Sequence, residues 1–183
     1  MEIERAGIAD VLIIGPKKHG DARGFLSETF KASALKAFGV DCDWVQDNHS
    51  LSARRGVVRG LHFQAPPHAQ AKIVRVTRGA IFDVAVDLRK GSASYGRHVG
   101  VELSAENWRQ LYLPPGFAHG FCTLSADTEV LYRASAEYAP HAEYGLAWDD
   151  PALGIEWPIG ADEAQLSERD LRWPPFGAFT SPF

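Results

Sequence analysis

The chain has 183 residues, 45% of them hydrophobic and 23% charged, a balance expected of one globular domain with its own core, here residues 1–183. A net charge of −4 offers no basic surface to nucleic acid or to an anionic membrane, so an anionic small ligand needs a locally basic pocket. No stretch approaches the ~20 apolar residues that span a bilayer. The opening MEIERAGIADVL carries charges where a secretory leader needs an apolar run, so a cytoplasmic protein is expected.

In chain order, SALKAF (33–38) has the composition of a short helix. VQDNHS (45–50) reads as a strand with Gln46 and Asn48 on one face, amides suited to sugar or phosphate oxygens. VVRGLHFQ (57–64) is a strand in which strict alternation puts His62 and Gln64 on one face and Arg59 on the other. Gly60 lies between them, and a one-residue bulge there brings Arg59 and His62 to the same side. In KIVRVT (72–77), Lys72 is in register with Val74 and Val76. If that face is inward, its ammonium is buried, which is costly unless the charge is paired or used.

AIFDVAVDLRKG has the clearest period of two. Phe82, Val84, Val86 and Leu88 share one face, Asp83, Ala85 and Asp87 the other, and a buried Asp83 needs a partner. Strands follow at 98–103 and 109–113. The turn in LPPGFAHGF (113–121) delivers His119 at the start of another strand. EVLYR (129–133) puts Tyr132 in phase with Val130, and Tyr138 lies past that strand's end. DEAQLSERD (162–170) reads as a second helix with Asp162 as N-cap, leaving Arg169 and Asp170 as solvated residues. The proline-rich tail after residue 150 is expected to wrap over the sheets. Many short strands between turn signals define an all-β sandwich or barrel with minor short helices. Cys42 and Cys122 fit no metal or redox spacing and read as buried fillers.

Three chemistries could use these side chains. The seven histidines include no HxH or HxxxH pair for a metal. No GxSxG elbow presents a nucleophile. Proton transfer beside a carbonyl needs a base, an acid and a cation for the enolate oxygen, and His, Tyr and Lys supply that set.

GDARGFLSETF, VQDNHSLS, GVVRGLHFQAPPHAQAKIVRV, GAIFDVAVDLRKGS, LSAENWRQLYLPPGFAHGF and WDDPALGIEWP together resemble the dTDP-4-dehydrorhamnose 3,5-epimerase family over nearly the whole chain. The resemblance implies a cupin-type double-stranded β-helix, or jelly roll, and a homodimer. PPGFAH is similar to the second cupin motif. Where many cupins carry a metal-binding HxH, this chain reads His62-Phe63-Gln64, so the residues and the resemblance imply chemistry without a metal or other cofactor.

The implied reaction inverts C3 and C5 of dTDP-4-dehydro-6-deoxy-glucose, both α to the C4 ketone, in dTDP-L-rhamnose biosynthesis. By resemblance His62 is the base, Asp170 orients and charges it, Lys72 stabilises the enolate, and Tyr132 returns a proton from the opposite ring face. Arg23 and Arg59 match diphosphate clamps. Glu28, Gln46, Asn48, His119, Glu143 and Arg169 match nucleotide or sugar contacts, and Tyr138 a position near the thymine. The resemblance also implies that the N-terminal segment, with Arg23 and Glu28, reaches the partner subunit's site. Leu26 replaces a frequent aromatic that can stack on the base, and Arg169 and Arg133 stand where lysine is common; Arg133 is assigned no role. Alternatives are an epimerase acting only at C3 or C5, a metal-dependent cupin oxygenase, and a non-catalytic sugar-nucleotide-binding cupin.

Overall fold

The alternating runs become two antiparallel sheets facing one another in a computed structural model that describes residues 1–183. The strands are β1 (Glu2–Arg5), β2 (Leu12–Gly15), β3 (Lys18–Asp21), β4 (Gly24–Ser27), β5 (Gln46–Ser52), β6 (Val58–Gln64), β7 (Lys72–Arg78), β8 (Ala80–Asp87), β9 (His98–Ser104), β10 (Gln110–Leu113), β11 (Phe117–Thr123), β12 (Thr128–Ala134) and β13 (Glu143–Gly145). One sheet has six strands in the order β1-β2-β10-β7-β12-β5, the other five in the order β13-β6-β11-β8-β9, and β3–β4 is a separate hairpin. This is the all-β jelly roll expected from the sequence. The only α-helix is α1 (Ala32–Lys36), close to the predicted 33–38.

The main core lies between the sheets. Val74, Val76, Leu111 and Val130 of the six-stranded sheet meet Ile81, Ala85, Val101, Phe117 and Phe121 of the other. The second face of the five-stranded sheet is not solvated. Leu61, Phe63, Val84, Val86 and Ala118 are covered by the tail through Leu153, Trp157, Phe176 and Phe179. Every residue of β11 is therefore buried. Fully burying an aliphatic side chain such as Leu61 or Val84 contributes about 1.5–3 kcal/mol, so the proline-rich tail is the lid of a second core.

Two readings are corrected. Residues 162–170 are not helical, and Asp162 caps no helix. Their backbone runs beside the start of β6, where Val58 N–H donates to Gln165 O at 3.0 Å and Gln165 N–H to Gly56 O at 2.8 Å. Those groups are thus unavailable to an i→i−4 ladder. Asp170 instead opens a 3₁₀ turn and is buried. Cys42 is exposed, whereas Cys122 is buried as expected; both are free thiols.

Candidate active site

The inner faces of the two sheets part at one end around a cavity of about 620 Å³. β12 pairs with β5 so that Tyr132 lies opposite Asn48, and Ala134 opposite Gln46. On its other side β12 pairs with β7, placing Ala134 opposite Lys72. The inward parity read for Gln46, Asn48, Lys72 and Tyr132 therefore makes one wall. Asn48 accepts the Gln46 amide at 3.0 Å.

The facing wall comes from β6 and β11. His119 pairs with His62, but Phe121 pairs with Arg59. Two steps on β11 thus match three on β6, which is a one-residue bulge at Gly60–Leu61. Strict alternation would have opposed Arg59 to His62; the bulge puts both in the cavity. Gly60 has φ +128°, and a Cβ there would stand 2.5 Å from Gly120 Cα. Only glycine satisfies both the left-handed backbone and that close approach.

His62 Nε2 is hydrogen-bonded to Asp170 Oδ1, a contact spanning 108 residues. Asp170 also accepts Trp173 Nε1–H at 3.4 Å, and its own N–H donates to Ser167 Oγ at 3.2 Å. Burial opposes ionisation of Asp170, but the His62 ring and the Ser167 and Trp173 side chains outweigh it and hold the carboxyl below its usual range. The carboxylate fixes one ring nitrogen and leaves Nδ1 free to exchange a proton. The tail seen as a solvated helix in the sequence thus delivers the partner of the strand histidine. Gln64, two residues on, is committed elsewhere: its amide donates to His68 O at 2.7 Å and Glu137 O at 3.1 Å and accepts Ala139 N–H at 2.8 Å.

Burial pushes the Lys72 ammonium down to about 8, against the negative charges of Glu143 and Asp83. It remains largely protonated at neutral pH and can stabilise developing negative charge. Its Nζ lies 5.8 Å from the centre of the Tyr132 ring. Burial also raises the Tyr132 phenol, Glu143 adds to this and Arg59 opposes it, so the phenol holds its proton. His119 and Asp83, buried together, meet at 2.8 Å between Nε2 and Oδ1, giving Asp83 the partner its burial requires.

At the mouth, Tyr138 Oη donates to Glu143 Oε2 at 2.6 Å, and Arg169 Nη1 donates to the same oxygen at 2.6 Å. Tyr138 is 50% exposed, leaving its ring available to stack. Arg23 and Glu28 are not brought to this cavity. Arg23 pairs with Asp21 at 2.6 Å and Glu28 with Lys31 at 3.6 Å, on and beside the β3–β4 hairpin. Leu26 and Phe25 of that hairpin are exposed. Arg133 points to the outer face, bound to Asp47 at 2.8 Å. Ser50, Gln70, Phe121 and Ser167 line the cavity but were missed in the sequence. Ser50 shares parity with Gln46 and Asn48, and Phe121 with His119, so both were findable; Gln70 and Ser167 lie outside strands and gave no periodic signal.

A jelly roll with an imidazole–carboxylate pair, a phenol and a buried ammonium converging between its sheets defines an acid–base enzyme of the cupin type. The family model described as dTDP-4-dehydrorhamnose 3,5-epimerase matches residues 5–178. A dTDP-4-dehydrorhamnose 3,5-epimerase of Sinorhizobium fredii is 52% identical over 174 residues, covering 95% of this chain and 89% of that protein. The crystal structure of dTDP-6-deoxy-D-glucose-3,5-epimerase from Legionella pneumophila, in complex with dTDP-4-keto-L-rhamnose, is 43% identical, with a TM-score of 0.93 over 98% of this chain and 94% of that one. A 3'-monoepimerase from Streptomyces bikiniensis in complex with dTDP-quinovose is 37% identical, with a TM-score of 0.86 over 93% of this chain and 86% of that one. The chain belongs to the dTDP-4-dehydrorhamnose 3,5-epimerase family and is an isomerase.

Proposed function

We propose that this chain converts dTDP-4-dehydro-6-deoxy-glucose to dTDP-4-dehydro-rhamnose, inverting C3 and C5 in turn, in dTDP-L-rhamnose biosynthesis. The observation that carries this reading is the placement of His62 and Tyr132 on opposite walls of one cavity that also holds Lys72. His62 removes the proton from the carbon α to the C4 ketone. The C–H electrons move into the ring, and the C4 oxygen becomes an enolate stabilised by the Lys72 ammonium. Tyr132 then gives its proton to the same carbon from the other face, so the centre inverts. Proton exchange with solvent restores His62 and Tyr132 before the second centre reacts. Asp170 holds the His62 ring and balances the imidazolium. This scheme requires no metal or other cofactor.

Arg59 binds the diphosphate, for which a guanidinium fork is suited. Gln46, Asn48, His119, Glu143 and Arg169 hold the sugar nucleotide, and Tyr138 stacks near thymine. The chain acts as one catalytic domain over residues 1–183, in the cytoplasm, as a homodimer. Arg23 and Glu28 reach the partner's cavity on the exposed hairpin, which is why neither serves the cavity of its own chain.

The test is incubation with dTDP-4-dehydro-6-deoxy-glucose in D₂O, followed by NMR and mass measurement of the sugar. Deuterium at both C3 and C5 is expected. Label at one carbon alone means a mono-epimerase. No label from folded protein that binds dTDP refutes an epimerase. His62→Ala should bind dTDP normally and lose activity; unchanged activity would overturn the assignment of the base.

A further inference from the structure

A second imidazole–carboxylate pair stands on the strands beside the first, His119 lying opposite His62, and it includes an unusual carboxylate. Asp83 is fully buried on β8, facing the space between the sheets in phase with Ile81 and Ala85. Its Oδ1 accepts from His119 Nε2 at 2.8 Å, but its Oδ2 is buried without any hydrogen-bond partner. An unsatisfied buried carboxylate oxygen is costly and calls for a compensating charge. The ionisable groups sharing the cavity with Lys72 are His62 and Arg59 on β6, His119 on β11, Tyr132 on β12, Glu143 on β13, and Tyr138, Arg169 and Asp170 outside the strands; Asp83 on β8 stands behind His119. Of the two carboxylates that favour a charged Lys72, Glu143 already binds Tyr138 and Arg169. Asp83 has no cationic partner other than a protonated His119.

We propose that Asp83 is a positioning residue of this reaction: its carboxylate orients the His119 ring and serves as the buried counter-charge of Lys72. The geometry separates two requirements on a buried ammonium. The charge must be stabilised, yet the N–H groups must stay free for substrate. A carboxylate that bonds His119 and acts on Lys72 only through space meets both. It also sets the His119 tautomer, with Nε2 protonated and Nδ1 bare, so that His119 offers the cavity an acceptor or, once protonated, a donor. This inference deepens the epimerase reading and rests on Lys72 being the enolate's cation.

The test is direct titration of Lys72 by NMR in protein with ¹³Cε-labelled lysine, for wild type and Asp83→Asn, alongside the pH profile of kcat/KM. The Lys72 midpoint should fall by about one unit or more in Asp83→Asn. The alkaline limb of kcat/KM should move with it, while dTDP affinity stays within about threefold of wild type. His119→Asn keeps the Asp83 charge, so its Lys72 midpoint should stay within about half a unit of wild type. A folded Asp83→Asn protein with an unshifted Lys72 midpoint overturns the counter-charge. If Asp83→Asn does not fold, ¹⁵N-histidine spectra of the wild type decide: a His119 ring protonated at Nδ1 and bare at Nε2 overturns the proposal, and the reverse supports it. The NMR readouts need no turnover, so a wild type inactive in D₂O would refute the epimerase reading without touching them.

Discussion

His62 stands on β6 of the five-stranded sheet and Tyr132 on β12 of the six-stranded sheet, and both side chains enter the same cavity. A base alone tends to return a proton to the face it came from, so inversion needs a donor across the ring. Tyr132→Phe should therefore separate the two half-reactions. Deuterium should still enter the recovered substrate from D₂O, while inverted product falls by about 10²–10⁴-fold, the usual weight of a positioned acid. Inversion at the wild-type rate would remove Tyr132 from the mechanism.

In the proposed reaction Asp170 acts through the His62 ring it holds. Asparagine at 170 keeps the size but presents either an amide N–H or a neutral carbonyl to Nε2, and the imidazolium loses its counter-charge. Asp170→Asn should lower kcat by about 10²–10⁴-fold with KM for the sugar nucleotide changed little. A large rise in KM with kcat preserved would instead make Asp170 a binding residue.

Lys72 should set an alkaline limit to the proposed reaction. Its value of about 8 lies below that of a free lysine because burial disfavours the ammonium. In the proposed reaction only the protonated form stabilises the enolate, so kcat should be level near neutrality and decline as pH rises through about 8. Lys72→Gln should abolish that limb and lower kcat at all pH values. A wild-type profile still flat above about pH 11, past the ~10.4 of an ordinary lysine, would show that the charge on Lys72 is not required.

Most of the sheets was legible because a half-buried strand alternates, and Gln46, Asn48, Lys72 and Tyr132 obey that period on the six-stranded wall. On the five-stranded wall the strands were legible but the inward face was not, because β11 is buried throughout and β6 and β8 nearly so. Asp83 appeared to occupy a polar face, yet that face looks into the space between the sheets. Arg59 and His62 share a cavity through the bulge at Gly60, which alternation contradicts and only the glycine hinted at. DEAQLSERD has helical composition, but its backbone bonds to Gly56 and Val58, a long-range pairing that local propensity does not contain. The same pairing carries Asp170 to His62, so the resemblance supplied that partnership where the local pattern did not. The β3–β4 hairpin buries no core face of its own and left no strong periodic signal.

Gly60 is where that bulge can be tested. A Cβ there would stand 2.8 Å from His119 O as well as 2.5 Å from Gly120 Cα, all backbone that cannot turn aside. Gly60→Ala should cost about 2–4 kcal/mol through the clash and the positive φ, and should separate Arg59 from His62. Chemical denaturation measures the first effect, and dTDP affinity, read with activity, the second. A variant of unchanged stability would mean that β6 and β11 have room to part.

Asp87 tests the end of β8 away from the reacting groups. Its Oδ1 accepts Arg89 Nε–H at 2.9 Å and Arg89 N–H at 3.0 Å, and its Oδ2 accepts Arg89 Nη2–H, Ser92 Oγ–H and Ser94 Oγ–H at 2.7 Å each. Burial opposes ionisation, but Arg89 and the two serines overcome it and hold the carboxyl well below its usual range. The unfolded carboxyl titrates near ~3.9. The folded value lies lower, so the stabilisation is full above the unfolded value and fades as pH falls toward the folded one. Asp87→Asn leaves Arg89 without its buried partner and should cost about 3–5 kcal/mol at neutral pH. The gap between variant and wild type in urea unfolding should narrow steadily below about pH 4. A gap independent of pH would show that Asp87 acts through its shape and not its charge.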